Sequence, residues 1–297
     1  MPNRLIVIGD VHGCVEELAE LDRKLKIKDD DHVVFVGDLM DKGPHSTVTV
    51  AYINHLREQR VRVTLVEGNH EEKYRRFRYH EDISLETGRK NPMLGAERMR
   101  ETMMRLKRKD IEFLDSAVLW YRDPIRNLLV VHGGIPLWMK RLPHPKKWRN
   151  SQRGPRERAA VILRLRYQDH AGNMIKLGDE KRHHNFWADR YDGRFGTVLF
   201  GHEPFWDPAV PKQFKHAIGM DTGCCYGGAL TAAVYEDRVE EPWFCSVKAR
   251  EEYCSPIELR GSKKPGINPI DDRRTDSRVL KFHSRYPNYR RGGTKLW

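Results

Sequence analysis

Five short patches of this sequence pair glycine with side chains that can hold a cation or move a proton. They are Gly9-Asp10-Val11-His12-Gly13, Gly37-Asp38-Leu39-Met40-Asp41-Lys42-Gly43, Gly68-Asn69-His70-Glu71, His132-Gly133-Gly134 and Gly201-His202. Carboxylate, imidazole and carboxamide together suit borderline divalent metals such as Mn²⁺, Fe²⁺, Zn²⁺ or Ni²⁺. Glycine lets the backbone turn sharply and come close to a ligand. A single Gly-Asp or His-Gly corner is an ordinary turn, because these residues populate turns everywhere. Five in order, each after a strand-like run, point to one shared pocket.

The elements that must position these patches follow from the apolar pattern. Residues 4–8 form a short apolar run ending in Gly-Asp and read as a buried strand. Over 14–27, Val15, Leu18, Leu21 and Leu25 recur at the three-to-four spacing of a helix. Strand 32–36, helix 44–59 and strand 61–66 complete a strand–helix–strand–helix–strand order. That order predicts a parallel sheet with right-handed crossovers. It gathers the first three patches at the carboxyl edge, where open α/β sheets place their sites.

Charged helices are expected over 71–79 and 95–110, and strands over 118–121, 127–131, 197–200, 218–221 and 230–235. Residues 140–158 are basic and rich in proline and glycine, and read as a long loop or partial lid. Residues 159–167 read as helical.

The five patches resemble the pattern GDxHG, GDxxDRG, GNHE, HGG and GH of the phosphoprotein-phosphatase branch of calcineurin-like metallophosphoesterases. The motifs run from residue 9 to 202, with weaker similarity to about 236. The resemblance implies an α/β sandwich with mixed central sheets, flanking helices and a binuclear metal site at strand ends. By position, Asp10 and His12 would bind one metal, Asp38 would bridge both, and Asn69, His132 and His202 would complete the second site. A hydroxide between the two cations would attack phosphorus in line with the leaving oxygen. His70 matches the general acid, and Asp41 would orient it. Lys42 stands where the family usually has arginine, which keeps the charge but loses the planar two-pronged grip on phosphate.

Further segments bear on the substrate. Arg164-Leu165-Arg166-Tyr167 resembles the Arg-x-Arg-aromatic stretch of symmetrical bis(5'-nucleosyl)-tetraphosphatases, which implies that Arg164 or Arg166 grips phosphate. The stretches 187–191 and 221–228 resemble segments of bacterial members, including nucleotide phosphatases and RNA-repair phosphatase modules. They make Arg190 a phosphate contact, and Trp187 and Tyr226 either base-stacking or core residues. The expected function is hydrolysis of dinucleoside polyphosphates or related nucleotides, with Mn²⁺ as the expected metal. Two alternatives stay open, a Ser/Thr or Tyr phosphoprotein phosphatase and a nucleic-acid-binding scaffold or RNA-end phosphatase.

Composition bounds these readings. The 297 residues carry a formal charge of +12, of which residues 255–297 supply +7. The expected division is a catalytic domain over 1–254 and a basic, flexible tail over 255–297 with aromatics among its cations, able to meet phosphate backbones. No apolar run approaches the ~18 residues of a membrane span. The start shows no signal-peptide pattern, and the five cysteines include no C-x-x-C pair. Reduced, mostly buried thiols in a cytoplasmic protein are therefore expected.

Overall fold

A computed structural model describes residues 4–255, apart from 151, 152 and 238. The tail, with its expected flexibility and nucleic-acid contacts, falls outside the described residues beyond Ser255.

Strand β1 (Arg4–Ile8) and strand β2 (Asp31–Phe35) are almost wholly buried. Both of their faces are covered, which is why they read as unbroken apolar runs. Between them, helix α1 (Val15–Leu25) turns Leu18, Leu21 and Leu25 inward and ends at Lys26 in a left-handed conformation. Helix α2 (Ser46–Glu58) leads to β3 (Arg62–Leu65), and β1, β2 and β3 pair in parallel. Helices α3 (Asn69–Thr87), α4 (Ala96–Arg105) and α5 (Arg108–Asp115) follow. The single helix expected over 95–110 is thus two, separated at Leu106, whose backbone is extended.

The chain then builds a second sheet. Its elements are β4 (Trp120–Asp123), β5 (Leu128–Val131), α6 (Arg153–Ile162), the short pair β6 (Tyr167–Gln168) and β7 (Asn185–Phe186), α7 (Trp187–Arg190), β8 (Thr197–Phe200), β9 (Lys212–Gln213) and β10 (Ala217–Gly219). Finally β11 (Ala229–Tyr235) and β12 (Trp243–Lys248) return to the first sheet. The sheet orders are β12-β11-β1-β2-β3 and β4-β5-β8-β10-β9. Both sheets are mixed. In the first, β1, β2 and β3 run parallel to one edge, and β11 and β12 pair antiparallel at the other. In the second, parallel β5, β8 and β10 are flanked by antiparallel β4 and β9.

Side-chain alternation makes the layers. Leu5, Val7, Val34 and Val36 meet Leu128, Val130, Leu199 and Met220 between the sheets. On the outer face of the first sheet, Ile6, Ile8 and Phe35 pack with Leu18, Leu21, Val50 and Ile53. On the outer face of the second, Leu129, Val131 and Phe200 pack with Ile162 and Trp187. The result is helices, sheet, sheet, helices.

The segment 140–158 is not the open loop its composition suggests. Its described residues include a 3-10 turn, Lys147–Asn150, and the start of α6. Trp148 is buried, and Arg149 pairs with buried Glu67 at 2.8 Å while bonding the carbonyls of Asp115 and Ala117. These bonds pin its centre to the first half of the chain.

Candidate metal and catalytic site

The parallel strands of both sheets end on one edge. Asp10 and His12 follow β1, Asp38 and Asp41 follow β2, and Asn69 and His70 open α3 just after β3. His132 follows β5, His202 follows β8, and Asp221 follows β10.

Asp38 Oδ2 lies at the centre, 3.5 Å from His12 Nε2, 3.4 Å from His132 Nε2 and 3.8 Å from His70 Nε2. Asp38 therefore belongs to two donor groups, one with His12 and His70 and one with His132 and His202, each spanning no more than 4.8 Å. Asn69 Oδ1 stands 3.0 Å from His132 Nε2. Asp10 Oδ2 accepts the His202 backbone N–H at 3.1 Å.

The proton directions argue for a cation. The Nδ1 of His12 faces the Met40 carbonyl at 3.0 Å, and that of His132 faces the Val36 carbonyl at 2.9 Å. Carbonyls only accept, so each Nδ1 carries the proton and each Nε2 turns a lone pair inward. Asp10 Oδ1 and His202 Nε2 are buried without any partner. Buried acceptors that converge with no donor are costly. Donor atoms 3.4–3.8 Å apart are spaced to share cations with bonds of ~2.1 Å. These residues fit divalent metals.

Burial, then the charge of Lys42 for His12 and of Arg166 for His202, pushes both imidazoles well below their ordinary range. They are neutral, as metal ligands must be. Burial opposes ionisation of Asp38, but the surrounding histidines outweigh it and hold the carboxyl well below its usual value.

His70 stands at the rim of this centre, its Nε2 toward Asp38. Its Nδ1 is 2.7 Å from Asp41 Oδ2, which also accepts Lys73 Nζ at 2.9 Å, while Asp41 Oδ1 accepts the Tyr74 hydroxyl at 2.7 Å. Burial would raise Asp41, yet His70 and Lys73 overcome it and hold the carboxylate ionised far below the ordinary range. An anion fixed on Nδ1 keeps the second ring nitrogen directed toward the pocket. Lys42 Nζ reaches His12 Nε2 at 2.9 Å and lies 5.2 Å from the centre of the Tyr226 ring.

The backbone pays locally for this convergence. His12, Asp38, Asp41, Lys42 and His202 all have positive φ, between +47° and +72°. Among the described residues only Lys26, Arg60 and Asn127 are further non-glycine cases, so this strain concentrates at the pocket. Two glycines are required by contact. A Cβ on Gly68 would stand 2.2 Å from Asp38 Oδ1, and one on Gly201 would stand 2.0 Å from Asp10 Oδ1.

Two residues escaped the sequence reading. Glu71 Oε2 accepts the N–H groups of Asp38 at 2.8 Å and Gly68 at 3.0 Å, and Oε1 accepts that of Leu39 at 2.9 Å. It ties the β2 corner to the start of α3, and burial with the charge of Asp38 pushes its carboxyl up to about 7. Its place at the third helical position was the available signal. Asp221 is buried beside the pocket and accepts the Gly223 N–H at 3.0 Å.

The substrate-contact residues are placed unevenly. Arg164 Nη2 pairs with Glu72 at 2.5 Å at the start of α3. Arg166 pairs with Glu203 at 2.7 Å and donates to the His202 carbonyl at 2.7 Å, so it braces the β8 corner. Arg190 is exposed on α7 and, among the described residues, makes no hydrogen bond to the pocket. Trp187 is fully buried against Phe200 and Tyr191, which corrects the stacking role open to it in favour of core packing. Tyr226 is buried too, with its ring toward Lys42.

Comparisons with known proteins agree with this geometry. The chain is 29% identical over 260 residues to the asymmetrical bis(5'-nucleosyl)-tetraphosphatase PrpE of Oceanobacillus iheyensis, covering 84% of this chain and 94% of that protein. It is 30% identical over 259 residues to the same-named protein of Halalkalibacterium halodurans, covering 82% and 94%. These relatives carry the asymmetrical designation, whereas the Arg-x-Arg stretch resembles the symmetrical enzymes. A crystal structure of a candidate diadenosine tetraphosphatase superposes with a TM-score of 0.59 at 25% identity, over 84% of this chain and 95% of that one. A Saccharomyces cerevisiae serine/threonine phosphatase shares the fold with a TM-score of 0.51 at 18% identity, over 84% and 82%. The sequence model of calcineurin-like phosphoesterases matches residues 3–227. The chain belongs to the calcineurin-like phosphoesterase family and is a metallophosphoesterase hydrolase.

Proposed function

We propose that this enzyme hydrolyses a phosphoanhydride of dinucleoside polyphosphates, cutting asymmetrically to release a nucleoside triphosphate and a nucleoside monophosphate. The observation that supports the reaction class is the Asp38-centred convergence of buried acceptors. The substrate and the position of the cut rest on the asymmetrical tetraphosphatase relatives, which align over more than four-fifths of the chain.

Asp10, His12, Asp38, Asn69, His132 and His202 would hold two divalent cations, with Asp38 common to both. The mixed oxygen and nitrogen donors suit Mn²⁺. When bound, the cations supply Lewis acidity and make water acidic enough to ionise near neutral pH. The chain's own residues do the rest. His70 would act as a doubly protonated ring that gives its Nε2 proton to the departing oxygen, and Asp41, accepting Nδ1–H, would steady that charge and orient the ring. Lys42, on a flexible stem beside the donors, neutralises phosphoryl oxygens. Arg164 at the rim exchanges Glu72 for substrate phosphate. Among the described residues no helix is long and apolar enough to cross a membrane, and five cysteines with no disulfide suit a reducing cytoplasm.

The test is product analysis with Mn²⁺ and diadenosine tetraphosphate. ATP and AMP in equal amounts support the reading. Two ADP would overturn the asymmetrical cut. Intact dinucleotide beside rapid release of phosphate from phosphopeptides would overturn the substrate class.

A further inference from the structure

Four of the five cysteines are buried and none is in a disulfide. Two of them face a carboxylate. The sulfurs of Cys14 and Cys224 and one Glu17 oxygen lie within 4.8 Å of one another. All three residues are buried, with Cys14 and Cys224 at 1% exposure and Glu17 at 0%.

Glu17 is not an ordinary buried acid. Its Oε1 accepts the Arg250 N–H at 3.0 Å and the Tyr253 hydroxyl at 2.8 Å. Its Oε2 is buried with no partner. A buried carboxylate oxygen without a donor is costly to keep. Two hydrogen bonds on Oε1, with Oε2 left bare, are the outer support a metal-ligating carboxylate receives.

We infer that Cys14, Cys224 and Glu17 form a second cation site, distinct from the Asp38 cluster, which takes a thiophilic divalent metal of the Zn²⁺ type. On binding, each thiol releases its proton to solvent and ligates as thiolate, so two sulfurs and one oxygen face the ion. A cleft of about 140 Å³, lined in part by Cys14, Glu17, Pro44, His45, Arg250 and Tyr253 but not by Cys224, abuts the cluster and offers an approach to it from solvent. Sulfur ligands select Zn²⁺ over the harder Mn²⁺, so the two sites sort their metals by donor type. Cys14 follows the corner that carries Asp10 and His12, and Cys224 lies three residues after Asp221. The bound ion clamps together two loops that line the catalytic pocket.

Titration of the full chain with Co²⁺ after Mn²⁺ loading tests this, because only sulfur ligands give the near-ultraviolet sulfur-to-cobalt charge-transfer band. The expected result is a band that saturates at one equivalent and is bleached by Zn²⁺. Cys14→Ser and Cys224→Ser each abolish it, Cys245→Ser retains it, and Glu17→Gln weakens Co²⁺ binding about tenfold or more. Absence of the band in the unmodified protein overturns the site, whatever the variants do. A full-strength band in folded Cys224→Ser, checked by circular dichroism, overturns it as well. Neither outcome depends on phosphoesterase activity.

Discussion

Asp38 faces three imidazoles with one oxygen, so no other side chain in the pocket can replace it. Asp38→Ala is predicted to lower turnover about 10³-fold or more, measured as dinucleotide cleaved under saturating Mn²⁺. Retained activity would remove it from the metal site. His70→Ala is predicted to slow hydrolysis of an alkyl phosphate by about 10²–10⁴-fold and of an activated aryl phosphate far less, because the aryl oxygen departs without a proton. Equal losses would contradict the acid role. Glu71→Gln puts an NH2 donor where one of two oxygens accepts backbone N–H groups, leaving buried donors facing one another. It should cost about 2–3 kcal/mol in urea unfolding and weaken Mn²⁺ binding about tenfold or more. At this scale the sequence was legible where glycine flanked a donor. It was mute where partners are distant. Nothing near Glu71 announces that its acceptors serve Asp38 and Leu39, and nothing near Arg166 announces Glu203 or the His202 carbonyl.

Elements were read best where burial is two-sided. β1, β2 and β8 are apolar runs bounded by glycine corners, and helices α1 and α2 carry a clear period. β12 went unread because it is an edge strand, only partly covered, in which Trp243 is 45% exposed. The 147–150 turn went unread because basic, proline-rich composition hides a tertiary anchor, the pairing of Arg149 with Glu67. One prediction belongs to β2. Burial, with the nearby Arg62 charge, pushes the His32 imidazole down to about 4. The unfolded chain takes that proton near ~6.5, while the folded chain stays neutral. Stability from this group is therefore full above pH ~6.5 and is lost as pH falls toward ~4, by up to ~3 kcal/mol. In metal-free protein, the wild-type advantage over His32→Gln should shrink across that window in urea unfolding. A pH-independent difference would contradict it.

For the whole molecule, two mixed sheets bring their parallel strands to one edge, and the pocket exists only because both do. Asp10, His12, Asp38, Asn69 and His70 come from the first sheet's corners, and His132, His202 and Asp221 from the second's. Metal binding must therefore couple to the stability of the entire sandwich. Mn²⁺ at about a hundred times its dissociation constant is predicted to add about 2.7 kcal/mol per site, and chelation to reverse the gain. An unfolding midpoint unmoved by Mn²⁺ would oppose a site that joins the sheets. The most direct measurement is the number of Mn²⁺ ions held per chain, by equilibrium dialysis with paramagnetic resonance on the retained metal. The account predicts two ions per chain with the spectrum of a magnetically coupled pair, and loss of that coupling in Asp38→Asn. A single isolated ion in the unmodified protein, or a coupled pair that survives without Asp38, would contradict it.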